Sequence, residues 1–315
     1  MIRSVLLLFI MFFISEGFLF AQKGTGKLYR IDRYESIYLP LGKISFADKL
    51  VGFKVGSPVP VKKYRDSIQC LHEPNYRNYQ TPNFLSLGCG GSLTVEFTDN
   101  GFMNLPGEDL YLFEVGPSQE AAKIEISQNG TEWIYAGKIA GGKSSLDLSN
   151  AGIDSETVFY FLRITDLKQL CKSKSAGADI DAIGAINSVI KLTINADVLF
   201  DVAKYDLKET SKQSIDSLKT SIERVDKATI LIQGHTDSDG DELLNMVLSE
   251  NRCISVKERL MQIFGENSQY EYEIKPYGEN KPRFPNDSEE NKQQNRRVEI
   301  TVLPPKTYYD SLKKN

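Results

Sequence analysis

The stretch Ile230–Val256, ILIQGHTDSDGDELLNMVLSENRCISV, decides how the second half of the chain folds. It opens as a short apolar strand, Ile230-Leu231-Ile232, that ends at Gly234. A polar loop follows, His235-Thr236-Asp237-Ser238-Asp239-Gly240, and then a helix. On that helix Ser249, Cys253, Val256, Leu260 and Ile263 recur at three- and four-residue spacing, the period of one helical face. Arg252 sits beside this stripe, one turn beyond Leu248. Asp237 and Arg252 are far enough apart in sequence to meet only if the helix folds back along the strand end. A carboxylate and a guanidinium on so rigid a frame suit a zwitterionic ligand.

Upstream, Lys191-Leu192-Thr193-Ile194 reads as a strand leading into Val198-Leu199-Phe200. Ile215, Leu218, Ile222 and Val225 then mark a helix with one apolar face. Downstream, Tyr270, Tyr272 and Ile274 alternate in a third strand. Val298, Ile300 and Val302 alternate in a fourth, with Glu299 and Thr301 on its opposite side. The order is β-α-β-α-β-β, an α/β sandwich with two helices packed on one sheet face. The expected extent is 188–303, with 304–315 as a polar tail.

GHTD, then Gly240, Asn245, Leu248-Ser249, Arg252 and Val256, resembles the OmpA-like peptidoglycan-binding domain. Further along, Tyr277-Gly278-Glu279, Lys281-Pro282, Asn286-Asp287 and Asn295-Arg296-Arg297-Val298-Glu299-Ile300 match the second half of that pattern. The resemblance runs from about Lys191 to Leu303. It implies non-catalytic binding of peptidoglycan through the diaminopimelate residue of the stem peptide. Asp237 is suited to accept hydrogen bonds from the ligand ammonium, and Arg252 to grip its carboxylate through two parallel N–H donors. Backbone N–H groups at the start of the helix are further candidate donors. Phe200, Asp201, Gly234, His235, Thr236, Asn245, Leu248, Asn295 and Arg296 are the supporting positions, His235 as the residue that orients the loop. Two departures stand out. Phe200-Asp201-Val202-Ala203 keeps only the first carboxylate of the usual Phe-Asp-x-Asp, and Asn291-Lys292 replaces a frequent Gly-Arg pair.

The first half reads as all-β over 22–187. Ser92–Phe97, Leu110–Glu114 and Lys123–Ser127 alternate apolar and polar residues, and Val158–Ile164 is a more continuous apolar strand. Asp99-Asn100-Gly101, Pro106-Gly107 and Gln128-Asn129-Gly130 supply the turns. SLGCGGSLTVEFTDN, SQNGTEW and AGADIDAIGAI are similar to a jelly-roll module of bacterial surface proteins, a galactose-binding-like sandwich. That implies a glycan- or protein-recognition module, anchored by the second half. Asp99, Glu108, Asp109, Glu114, Asp179 and Asp181 are oxygen donors of the kind calcium takes, which makes calcium the one candidate cofactor.

The 315 residues suffice for two domains, and a net charge of −4 with no basic stripe excludes a general nucleic-acid partner. Arg3, the uncharged run Ser4–Ser15 and Ala21 before Gln22 have the layout of a secretory signal peptide over 1–21. The expected address is the periplasm, with the protein attached to the cell wall and peripheral to the outer membrane, since no series of ten-residue strands suggests a membrane barrel. Export permits disulfides among Cys70, Cys89 and Cys171, the pairing left open; Cys253 falls on the buried helix face as a packed thiol. The loop from Asp237 fails as a calcium-binding EF-hand, because Glu242 and Leu248 occupy the positions that need Gly and Glu. With only His72 and His235 in the chain, no Ser-His, Cys-His or metal-binding His pair is evident, so catalysis is not expected.

Overall fold

The computed structural model describes residues 26–31, 34–116, 120–139, 144–169, 171–172, 174–265 and 269–313. The expected signal peptide lies outside the described residues.

The first half is strand-rich. Strands β1 (Lys27–Arg30) and β2 (Ser36–Leu39) form a hairpin, followed by β3 (Lys49–Lys54), β4 (Leu85–Ser86), β5 (Ser92–Glu96) and β6 (Gly101–Phe102). Then come β7 (Leu110–Glu114), β8 (Ala122–Ser127), β9 (Ile134–Ile139), β10 (Ser145–Leu146), β11 (Phe161–Asp166) and β12 (Asp179–Ala185). Alternation makes these strands: in β5, Leu93 and Val95 are buried while Ser92, Thr94 and Glu96 stay partly exposed. One antiparallel sheet has the order β3-β5-β11-β8-β9 and a second the order β10-β7-β12-β4. They share a single core. Val95, Ile124, Ile126 and Leu162 of the first sheet cluster with Leu110, Leu112, Ile180 and Ile183 of the second. Cys89 is bonded to Cys171 across 82 residues of chain, with Cα atoms 5.4 Å apart. Cys70 and Cys253 are buried free thiols.

The second half is built on β13 (Ser188–Asn195), β14 (Ala228–His235), β15 (Tyr270–Gly278) and β16 (Arg297–Leu303). Its helices are α1 (Ala196–Leu199), α2 (Lys212–Asp216), α3 (Lys219–Ile222), α4 (Glu242–Phe264), α5 (Glu289–Asn295) and α6 (Lys306–Leu312). The sheet order is β15-β14-β16-β13-β6, so the first half contributes an edge strand. β13 pairs with β6 at Ser188 and Val189 and with β16 from Ile190 to Asn195. One continuous strand therefore serves both halves at the expected boundary near Asn187.

On the helix side of this sheet, Ile230, Ile232, Val298, Ile300 and Val302 pack against Cys253, Val256 and Leu260 of α4. Burying such side chains is worth roughly 1.5–3 kcal/mol each. Three local readings need correction. The helix expected through Ile215 and Val225 is broken into α2 and α3; at the break the Ser217 hydroxyl donates to the Ser214 carbonyl at 2.7 Å, a local bond that competes with the helix ladder. A short helix, α5, stands between the third and fourth strands, so the order is β-α-β-α-β-α-β rather than β-α-β-α-β-β. The segment expected as a polar tail forms α6, which docks on the first half: Tyr309 Oη donates to Asn187 Oδ1 at 3.1 Å and Tyr308 lies 5.8 Å from the Tyr38 ring.

The opposite face of the sheet is polar but not solvated. Arg297, Glu299 and Thr301 of β16 are all buried, Glu299 to 7% exposure. Glu156 and Tyr160 of the first half line the same space as Arg297 and Glu299.

Candidate functional site

The loop after β14 and the N-terminal part of α4 hold the site in place. Gly234 lets the helix approach the strand: a Cβ there would meet the Ser249 carbonyl oxygen at 2.5 Å and Cys253 Sγ at 2.8 Å. α4 starts where the Asp241 side chain accepts from the N–H groups of Leu243 and Leu244, at 2.9 and 3.1 Å. Those two donors are satisfied within the chain. Asn245, one turn in, ties the loop down by donating to the carbonyls of Asp237 at 3.3 Å and Asp239 at 3.1 Å and to Glu279 Oε2 at 2.7 Å.

Asp237 and Arg252 do meet. They line one cavity of about 350 Å³ together with Thr236, Asn245, Leu248 and Arg296. Asp237 is buried; its Oδ2 accepts from Arg296 Nη1 at 2.7 Å and its Oδ1 from the Asp239 N–H at 3.1 Å. Thr236 Oγ1 donates to the Asp237 carbonyl at 2.8 Å. Arg252 is 4% exposed, and its Cζ lies 5.0 Å over the Phe200 ring. Its Nε donates to the Lys204 carbonyl at 3.0 Å. Among the described residues no carboxylate lies within ion-pair distance of it. Burial lowers its pKa from the usual arginine range, with Asp197 and Asp237 acting in the other direction. Arg252 is thus a desolvated cation with only a backbone acceptor, facing a cavity.

Arg296 is held differently. Its Nε and Nη2 reach Asp197, Nη1 reaches Asp237, and Nη2 also reaches Glu289 Oε1 at 2.8 Å. Burial works against its charge, but the three carboxylates outweigh it and hold the guanidinium pKa above the usual range. Asp197 and Glu289 went unnoticed in the sequence; only their position beside the Phe200 and Asn295-Arg296 motifs hinted at them.

The remaining expected positions divide. Phe200 supports Arg252 from below. Asp201 is exposed and paired with Lys204 and Lys208 at 3.5 and 3.6 Å, so it does not face the cavity. Ala203, where the resemblance would have a second Asp, does line it, with a left-handed φ of 56°. Asn295 is buried and braces the preceding loop: its Oδ1 accepts from the N–H groups of Arg283 and Phe284 and its Nδ2 donates to the Phe284 carbonyl. His235 points to the other side of the sheet and stacks on Tyr277 at 5.1 Å, which corrects its expected role in orienting the loop.

The acidic residues considered for calcium do not gather into one group, although Glu114 and Asp179 are neighbours. Asp99 pairs with Arg224, Asp109 accepts from the N–H groups of Leu105 and Leu148, and Asp181 accepts from those of Asn75 and Tyr76. Asp179 accepts from Ser86 and Glu114 from Ser144. No group of metal-binding side chains exists among the described residues.

Comparison with known proteins matches this part of the sequence. The OmpA family pattern covers residues 199–296. Those residues are an OmpA family domain. Outer membrane protein A of Bordetella avium is 37% identical over 113 residues, 36% of this chain and 57% of that protein. Outer membrane porin F of Pseudomonas aeruginosa is 31% identical over 44% of this chain and 39% of its own length. The chain therefore spans less than two thirds of either relative. Among solved structures, the cell wall anchor of the T6SS from Pseudomonas aeruginosa has 28% identity over 38% of this chain and 85% of that one, with a TM-score of 0.33. No described helix is long and apolar enough to cross a membrane.

Proposed function

We propose that the OmpA family domain binds peptidoglycan without catalysis, taking the zwitterionic end of diaminopimelate into the cavity between Asp237 and Arg252. One observation carries this reading: Arg252 is buried beside the cavity with no carboxylate partner among the described residues. A buried cation without a counter-ion is costly, and a ligand carboxylate removes that cost on binding. Across the cavity, Asp237 is aimed by Arg296 and the Asp239 N–H and keeps acceptor capacity for an ammonium. Leu248 and Ala203 close the wall with apolar surface. In this reading the chain is exported to the periplasm by its first 21 residues and holds to the cell wall, peripheral to the outer membrane. The first half is then a galactose-binding-like jelly-roll sandwich displayed from that anchor, recognising an envelope glycan or protein.

Co-sedimentation with purified peptidoglycan tests the reading. The wild-type chain is expected to pellet with the wall and release no soluble fragments, while Asp237→Asn and Arg252→Ala stay in solution. Pelleting by both variants, or release of wall fragments by the wild type, would overturn it.

A further inference from the structure

A second cavity, of about 430 Å³, lies on the other side of the central sheet, between it and the first half. Its charges are unbalanced. Lys191, Lys281, Arg283 and Arg297 line it against two carboxylates, Glu156 and Glu299. Each carboxylate is already shared by two cations. Glu299 meets Lys191 and Arg297, both at 2.7 Å, and Glu156 meets Lys281 and also Lys275, the latter at 2.7 Å. Arg283 has no carboxylate within ion-pair distance among the described residues; its Cζ rests 5.9 Å from the Phe284 ring.

A second observation points the same way. His235 is 3% exposed and lines this cavity; neither ring nitrogen makes a well-formed hydrogen bond, although the Lys281 backbone acts on the ring and opposes the fall in its pKa. Burial, seconded by Arg297, pushes its pKa down to about 4, so at neutral pH it is an uncharged imidazole with one N–H to donate. A buried polar ring without a well-formed hydrogen bond in a cation-rich cavity calls for an acceptor.

We propose that this cleft between the two halves binds a small oxyanion, a phosphate or a carboxylate group, held by Arg283, Lys281 and Lys191 with the His235 N–H as a neutral donor. The guanidinium and ammonium groups supply charge-assisted bonds from the exposed rim, Arg283 and Lys281, while Lys191 and the buried His235 stand deeper. A ligand seated here touches both halves at once, since Glu156 and Thr157 come from the first and Arg283 from the second.

Calorimetric titration of the full chain with inorganic phosphate, and separately with galacturonate, at constant ionic strength, tests this and separates the two anion classes. At least one probe is expected to bind saturably at 1:1. Arg283→Gln should weaken that probe at least tenfold. Glu156→Gln, which frees two lysines, should tighten it about threefold or more. Arg252→Ala, which removes the cation of the opposite cavity, should leave a 1:1 site that still depends on Arg283. Absence of saturation with both probes up to 10 mM overturns the proposal, as does loss of binding in Arg252→Ala with retention in Arg283→Gln. Peptidoglycan co-sedimentation reads the other cavity, so a failure there leaves this titration standing.

Discussion

The two halves bury charge in opposite ways. In the first half, burial pushes Glu114 and Asp179 up to about 7 and Glu120 to about 8, and neighbouring carboxylates add to the effect on both glutamates. Asp109 and Asp181 rise to about 6 by burial, although backbone N–H groups bond to each. In the second half burial alone would raise Glu299, but Lys191 and Arg297 outweigh it and hold the carboxyl down at about 2. Asp237 and Arg296 belong to a network of the same kind. Asp109 and Asp181 hold loops through their N–H partners, whereas the paired ions of the second half line polar cavities. The second arrangement is the one a charged ligand can use. Among the described residues Arg252 is the buried cation left out of it, and it is where binding is expected.

The comparison breaks first at the covalent level. The first half carries the Cys89–Cys171 bond, while Cys253, in the second, is free. Replacing both bridged cysteines by serine should cost about 4 kcal/mol from an 82-residue loop. Residue-resolved hydrogen exchange should show the loss concentrated in β5, β11 and β12, and uniform loss across α4 would deny that the halves differ. Next in size is Arg296→Gln. It unpairs Asp197, Asp237 and Glu289 together and should destabilise the second half by roughly 2 kcal/mol, with affinity for peptidoglycan down about tenfold. A denaturant midpoint equal to wild type would mean the network is decorative.

The smallest effect is in pH, and its sign differs between the halves. Carboxyls raised in the folded state contribute stability that is complete below the ordinary carboxylate range and lost as pH rises through about 6 to 8. His235 is lowered to about 4, so its contribution is complete above its ordinary value near 6.5 and lost as pH falls through 4. Glu299, lowered to about 2, holds its contribution down to still lower pH. Going from pH 8 to pH 6, exchange protection corrected for intrinsic rate should rise in β7 and β12, stay level in β16 and fall slightly in β14, where His235 starts to lose its contribution below its ordinary value. Parallel changes in all four strands would contradict the contrast.

How much of this was legible in the sequence follows from what each signal depends on. Asp237, Arg252 and the strand-loop-helix between them could be read because the loop is short and the helix period is strong over 23 residues. The convergence of Asp197 and Glu289 on Arg296 could not. It depends on two separate segments folding against one side chain, and α5, EENKQQN, has no apolar stripe to announce a helix. The helix at Lys306–Leu312 reads as polar because its docking rests on two tyrosines, each half apolar and half hydrogen-bonding. His235 was misread because the GHTD motif puts it at the start of the loop and does not say which side of the sheet its ring faces; here it ends β14, on the polar face that meets the first half. The calcium candidates were misread for a related reason, since a carboxylate that satisfies backbone N–H groups looks in sequence like one awaiting a metal. The 82-residue separation of Cys89 and Cys171 lies beyond any local pattern.

Isothermal titration with a diaminopimelate-containing stem peptide tests most directly whether Arg252, buried without a carboxylate partner among the described residues, is reserved for a ligand carboxylate. Arg252→Met keeps the apolar stem over Phe200 and removes only the charge. Binding should weaken by roughly 2–4 kcal/mol, about thirtyfold to nearly a thousandfold, while the melting temperature holds or rises, because an uncompensated buried charge has gone. Amidating the free carboxylate of the diaminopimelate should weaken binding to the wild type by a similar factor and add little in the variant. Equal affinity of wild type and Arg252→Met for the unmodified peptide would contradict the account.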